Sequence, residues 1–318
     1  MRNLLFSAFA LASLPTISSA QTITQTFVAG AIAFSMDFVQ IGNPGNTADT
    51  TGSPNPAGSV AYTYNIGKYE VSRDMITKAN SGGSLGITMS NMNIFGGNEA
   101  DRPATGVSWY EAAKYVNWLN TSTGGTAAYK FDASGSTYQL WAEGDVGYNA
   151  NNMFRNSLAK YFIASRDEWY KAAYGNPNGT WNNFTTGSDS APAGVTGGTD
   201  SNTAVYDNET ADRPPRPAYI TNAGGLSPYG TMAQGGNVWE WNETSFDGTN
   251  DTADEDREMR GGSWNFKSND LEPTNRNNGT PTSEINVLGF RVAMVPEPSS
   301  LSLLALGGVV VALGRRKK

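Results

Sequence analysis

Residues 233–241 read AQGGNVWEW, and how this stretch folds decides how the rest of the chain is read. Two glycines and an asparagine run into a Trp-Glu-Trp triplet. Glycine lets a turn aim successive carbonyls to one side. In an extended segment Trp239 and Trp241 share one face, so both can seal a core while Glu240 points the other way. On the residues alone, Glu240 either meets an ion there or is solvated on an edge strand.

Composition narrows the chemistry open to that carboxylate. The 318 residues, 38% hydrophobic and 11% aromatic, are enough for a sizeable core in one large domain or two small ones. The 36 glycines, with abundant Asn, Thr and Ser, indicate a loop-rich fold with short regular elements. There is no cysteine, hence no disulfide and no thiolate nucleophile or soft-metal ligand. There is no histidine either, which excludes Ser-His-Asp triads, His-based zinc sites and the two-His-one-carboxylate iron site. Carboxylates, Lys, Tyr, Ser/Thr and oxygen-ligated hard cations remain.

Both ends read as addresses. Residues 1–20, MRNLLFSAFALASLPTISSA, combine Arg2, an apolar stretch from Leu4 to Leu14, and small residues at Ser18 and Ala20. This is the layout of a secretory signal peptide cleaved before Gln21. At the other end the apolar run 299–314, slightly under the roughly 20 residues that span a bilayer comfortably, precedes the cations Arg315 to Lys318. Val295-Pro296-Glu297-Pro298-Ser299 ahead of this run resembles the PEP-CTERM sorting signal over residues 295–318. That resemblance implies processing by an exosortase and a transient inner-membrane anchor through residues 299–314. It also implies delivery to the envelope or extracellular matrix of a Gram-negative-type bacterium. Without these ends the net charge moves from −7 to about −11, because they hold five of the 22 basic residues and one of the 29 acidic ones. Such a surface repels nucleic acid and attracts divalent cations.

Between the ends, one domain over residues 35–294 is expected. A first strand is read at 36–46 and another at 60–72, followed by a short helix from Ser72. Two main helices start with the same device. Ser108 with Glu111 and Ser165 with Glu168 are capping-box patterns, followed by apolar residues at helical spacing. The acidic stretch 247–258 has Asp first and Glu last, as a calcium-binding EF-hand loop does. Thr249 and Thr252 break that pattern, so a solvated acidic loop is expected.

Six segments then occur in order: IGKYEVS (66–72), RPATGVSWYEAAKYVNWLN (102–120), SRDEWYKAAYG (165–175), YGTMAQGGNVWEW (229–241), RGGSW (260–264) and LGFRVAMV (288–295). Together they resemble the formylglycine-generating enzyme, or sulfatase-modifying-factor, family over nearly the whole exported chain. The resemblance implies an α+β, C-type-lectin-like fold, loop-rich, with few antiparallel strands and two main helices. It also implies a structural calcium ion held by the carbonyls of Ala233, Gly236 and Val238 and the side chain of Glu240. A second family calcium site falls at 203–208, where Ala204 replaces a side-chain ligand.

The catalytic comparison is negative. The family's oxidases bind copper through two cysteines shortly after the GGS strand, and here Phe266 and Leu271 stand at those places. Phe162-Ile163-Ala164 replaces the usual Arg-Leu-Pro before the second helix. The resemblance therefore points to an exported, non-catalytic binding or structural module, with extracellular polysaccharide or a matrix protein as partner. The alternative is an enzyme of another chemistry, cofactor-free or calcium-assisted, in the remodelled cleft. No catalytic residue is assigned.

Overall fold

The computed structural model describes residues 21–207 and 216–296. Strands β1 (Thr22–Ala29) and β2 (Ile32–Ile41) form a hairpin that turns at Gly30, φ +61°. The strand expected at 36–46 thus starts earlier. Residues 22–34 carry little pattern because most of β1 lies at or near the surface at the sheet edge, with only Phe27 fully buried. Phe27 packs on Phe34 (ring centroids 5.5 Å apart) and edge-on against Tyr161 (5.1 Å). Strand β3 (Tyr64–Gly67) is shorter than the alternation over 60–72, and all four of its residues are buried.

Helix α1 (Arg73–Gly83) follows, N-capped by Ser72, and is the short helix expected there beside the two main ones. Helices α2 (Trp109–Ser122) and α3 (Arg166–Tyr174) both begin in complete capping boxes. Glu111 Oε2 accepts from the Ser108 amide at 2.9 Å, and Glu168 Oε2 from the Ser165 amide at 2.7 Å. Each box satisfies amide donors that the first turn of a helix otherwise leaves open.

Between α2 and α3 lie β4 (Lys130–Phe131), β5 (Tyr138–Gln139) and β6 (Tyr161–Ile163). After α3 come β7 (Ala193–Gly194), β8 (Thr203–Ala204), β9 (Trp239–Ser245) and β10 (Arg257–Arg260). Strands β11 (Asn277–Gly279), β12 (Leu288–Phe290) and β13 (Val292–Met294) complete the fold. One sheet has the order β1-β2-β3-β13-β6 with every pair antiparallel. A second, four-stranded sheet has the order β11-β10-β9-β12, and its β12–β9 pair is parallel, while β4-β5 and β7-β8 form two-stranded sheets. The last described strand therefore inserts between β3 and β6, so the described chain closes on itself.

The tryptophan of the first capping box anchors the core. Trp109 meets Tyr129, Tyr138 and Phe154 edge-on, and the Arg257 guanidinium lies over the Phe154 ring at 3.9 Å. The acidic stretch 247–258 is only partly the solvated loop expected. Its last members enter β10, where Glu258 is fully buried between Arg260 (2.5 Å) and Arg276 (3.0 Å). No helix among the described residues is long and apolar enough to cross a membrane. The apolar run 299–314 and residues 1–20 lie outside the described residues.

Candidate functional site

The Trp-Glu-Trp triplet opens β9, an interior strand flanked by β10 and β12, and all seven of its residues are buried. Trp241 Nε1 donates to the Val107 carbonyl at 3.0 Å. Glu240 is neither solvated nor on an edge. Its Oε1 accepts from Arg291 Nη2 at 2.5 Å, and its Oε2 accepts from Arg291 Nε and Trp169 Nε1, both at 2.6 Å. Arg291 spends its remaining donors on the carbonyls of Gly67 (2.8 Å) and Met232 (2.9 Å). A buried ion pair tolerates loss of solvent only when its remaining hydrogen-bonding capacity is met in this way.

A second carboxylate backs this pair. Asn237 sits at φ +61° after the glycine pair. Its Nδ2 donates to Glu70 Oε2 at 2.6 Å, and its Oδ1 accepts from the Ala218 amide at 2.7 Å. The Val238 amide reaches Glu70 Oε1 at 3.3 Å. Burial, and then the charge of Glu240, pushes the Glu70 carboxyl well above the usual carboxylate range, against the pull of Arg291. The centre thus sets two carboxylates against one guanidinium.

The implied calcium set does not fit this geometry through its one charged member. Ala233 (φ +64°), Gly236 (φ +91°) and Val238 lie on the turn before β9, and Gly236 N donates to the Gly261 carbonyl at 2.7 Å. Glu240, however, is already neutralised. A dication on it would face the Arg291 guanidinium where burial strengthens the repulsion. Among the described residues no group of three or more acidic side chains could hold a metal ion. At the second implied site, Ala204 is buried in β8 and Asp207 pairs with Lys267 at 2.5 Å.

The two positions matching the copper cysteines are closed by packing. Phe266 stands edge-on to Trp239 (5.5 Å, 89°), and Leu271 is 1% exposed beside Phe184 and Ala204. Neither offers a donor, so a copper site does not fit. Asp270, beside Leu271, is used locally, accepting from the Lys267 amide and from Asn275 Nδ2. Phe162-Ile163-Ala164 is buried at and just after β6.

Another buried charge cluster lies under a cavity of about 180 Å³ lined by residues including Tyr62, Asn149, Arg155, Phe162 and Val295. Arg155 stacks on Phe162 at 3.8 Å and pairs with Glu243 (3.4 Å) and Glu168 (3.6 Å). Glu243 also accepts from Asn152 Nδ2 at 2.6 Å and the Tyr129 hydroxyl at 2.8 Å, and burial pushes its carboxyl up. Both carboxylates are within 1% of full burial, so they brace the wall rather than present an acid and a base.

The "Sulfatase-modifying factor enzyme 1-like domain" family profile matches residues 30–295. The chain belongs to that family. The family domain is followed by a match to the "PEP-CTERM protein-sorting motif" at residues 295–318. That motif implies exosortase-mediated processing and sorting to the cell envelope or extracellular space. Among solved structures, "Treponema denticola variable protein 1" is similar at 20% identity, TM-score 0.55, covering 86% of this chain and 99% of its own. CarF is similar at 18% identity, TM-score 0.59, with coverages of 82% and 99%. PvdO from Pseudomonas aeruginosa is similar at 16% identity, TM-score 0.51, with coverages of 82% and 95%. At such identities the likeness speaks for the fold, which is α+β and C-type-lectin-like. No curated protein matches the sequence.

The sequence points to Glu240 in this family domain but not to Arg291, Glu70 or Arg155. Arg291 carries a usable signal, an arginine inside the apolar run LGFRVAMV that no surface position accounts for. Arg155, in a polar loop between α2 and α3, carries none.

Proposed function

We propose that this exported chain is a non-catalytic member of its family, a binding or structural module for extracellular polysaccharide or a matrix protein. It reaches the inner membrane through residues 1–20 and is held there by residues 299–314 until exosortase processing. The observation that carries this reading is the replacement of both copper-cysteine positions by packed hydrocarbon, Phe266 on Trp239 and Leu271 in a buried cluster. With no thiol or imidazole anywhere in the sequence, the family's copper oxidation has no ligands here.

The test uses residues 21–296, whose first and last strands share one sheet. The purified domain is loaded with copper and offered a Cys-containing sulfatase peptide, with dioxygen consumption and peptide mass followed. No turnover is expected. Formylglycine, or stoichiometric copper with oxygen uptake, would overturn the reading.

A further inference from the structure

We infer that the face around Val295 lies against the lipid headgroups of the membrane that holds the chain, so that the domain is laid on the bilayer as well as tethered to it. The inference rests on the proposed reading of residues 299–314 as a membrane anchor. It goes beyond that reading by naming which side of the domain meets the lipid.

The tether sets the distance. Four residues lead from Val295 to Ser299, where the apolar run begins. Whatever their conformation, they reach at most about 14 Å. The headgroup layer of one leaflet takes about 5–8 Å of that. Val295 is itself fixed to the domain directly after β13, its amide donating to the Lys160 carbonyl at 3.0 Å. The gap left between this face and the headgroups is therefore under about 10 Å, narrower than one α-helix.

What the face presents suits that place. Nine large apolar side chains are exposed among the described residues, and four of them gather here: Tyr62, Val146, Leu158 and Val295, at 41% to 77% exposure. Tyr62 and Val295 line the cavity beside Arg155, together with Ser157 and Ala159 on either side of Leu158. Val146 is laced to the same loop, its carbonyl accepting from Asn156 Nδ2 at 2.8 Å, while Ser157 N donates to the Gly147 carbonyl at 2.9 Å. Exposed apolar residues scattered singly are ordinary, whereas a group on one side marks an interaction surface.

The group is held outward. Buried Asn156 accepts from the Leu158 amide at 2.9 Å. The Tyr62 hydroxyl donates to Glu168 Oε1 at 2.8 Å, and its ring stands edge-on to Tyr64 at 6.2 Å. A tyrosine with a tied hydroxyl and an open ring is of the kind enriched at membrane interfaces. Charge nearby is already met, Asp145 by Lys130 at 2.7 Å and Arg155 by Glu243 and Glu168. Exposed Glu143 bounds the patch along the chain. The attraction is thus apolar burial, weak for four side chains alone, and the anchor strengthens it by making the contact intramolecular.

The sequence has no cysteine, so a single introduced one carries a label at a chosen place. Residues 21–318 with Val146→Cys, Leu158→Cys or Ile94→Cys, each bearing an environment-sensitive fluorophore, are reconstituted into phosphatidylethanolamine–phosphatidylglycerol vesicles with and without doxyl-labelled lipid. Ile94 is also exposed and lies outside the patch. Labels at 146 and 158 should be quenched about twofold or more, and the label at 94 hardly at all. Leu158→Asp in the Val146→Cys chain should reverse most of that quenching. Vesicle-bound chain whose three labels behave alike would overturn the inference and leave the anchor standing. An apolar emission shift at 146 and 158 without vesicles would also overturn it, because residues 297–318 or a second copy would then cover the patch. Failure of the chain to sediment with vesicles would sink the anchor reading and this inference with it.

Discussion

Arg291 Nη2 lies 2.5 Å from Glu240 Oε1, and both side chains are fully buried. Arg291 is the single residue between β12 of one sheet and β13 of the other. The ion pair therefore pins the point where the chain crosses between sheets, and Trp169 of α3 is tied to the same carboxylate. Removing one partner strands a buried charge. Glu240→Gln and Arg291→Met should each cost about 3–5 kcal/mol, and the double variant should cost clearly less than their sum. Urea unfolding of the three variants measures this, and strict additivity would argue against the coupling.

Because Glu240 is taken by Arg291, calcium should stabilise the domain little. A specific site saturated at about 100 times its Kd would add roughly 2.7 kcal/mol, a rise of several degrees in melting temperature. Equal melting within about a degree in chelator and in millimolar calcium is the expected result. A rise of several degrees that disappears in Glu240→Gln would show that the carboxylate leaves its arginine for the ion.

The buried acids set a pH dependence of unusual sign. Burial raises the carboxyls of both Glu70 and Glu243 above the ordinary glutamate value of 4.5. For each, the folded state holds its proton more tightly than the unfolded chain. The stabilisation is complete below about pH 4.5 and is lost as pH rises through the folded value. The domain should therefore be more stable at pH 5 than at pH 8, and Glu243→Gln should flatten part of that slope. Melting at the two pH values in parent and variant checks the sign.

Lys171 contributes at the other end of the scale. It is 1% exposed, its Nζ donates to the Asn43 carbonyl at 2.8 Å, and burial lowers its pKa to about 8. The folded state releases this proton first, so the cost of burying the charge is relieved between about pH 8 and the ordinary lysine value of 10.5. Lys171→Met should stabilise the domain at pH 7 and lose most of that advantage by pH 10. A Met variant less stable than the parent at pH 7 would show that the Asn43 bond outweighs desolvation.

Local geometry sets two further costs. Ser108→Ala and Ser165→Ala each open a capping box and should cost about 1 kcal/mol. Gly236→Ala should cost more, on the order of 2–3 kcal/mol or above. There φ is +91° and a Cβ would sit 2.5 Å from the Val205 carbonyl oxygen. Unfolding by denaturant ranks the three, and a tolerated Gly236→Ala would mean that the turn yields.

What the sequence by itself determined is local or subtractive. The Ser108–Glu111 and Ser165–Glu168 pairs act within one helical turn, so spacing alone announces both helix starts. The six ordered segments carry the family, and the lack of Cys and His removes copper chemistry without any geometry. Strand lengths were less legible, because β1 presents threonines and glutamine at a sheet edge and β3 is buried on every residue. Only the tertiary structure decided what Glu240 does. Its partner lies 51 residues away in sequence, and Glu70 approaches Asn237 across 167. Such pairings follow from which strands become neighbours, and strand order depends on how the whole core packs rather than on the residues beside the carboxylate.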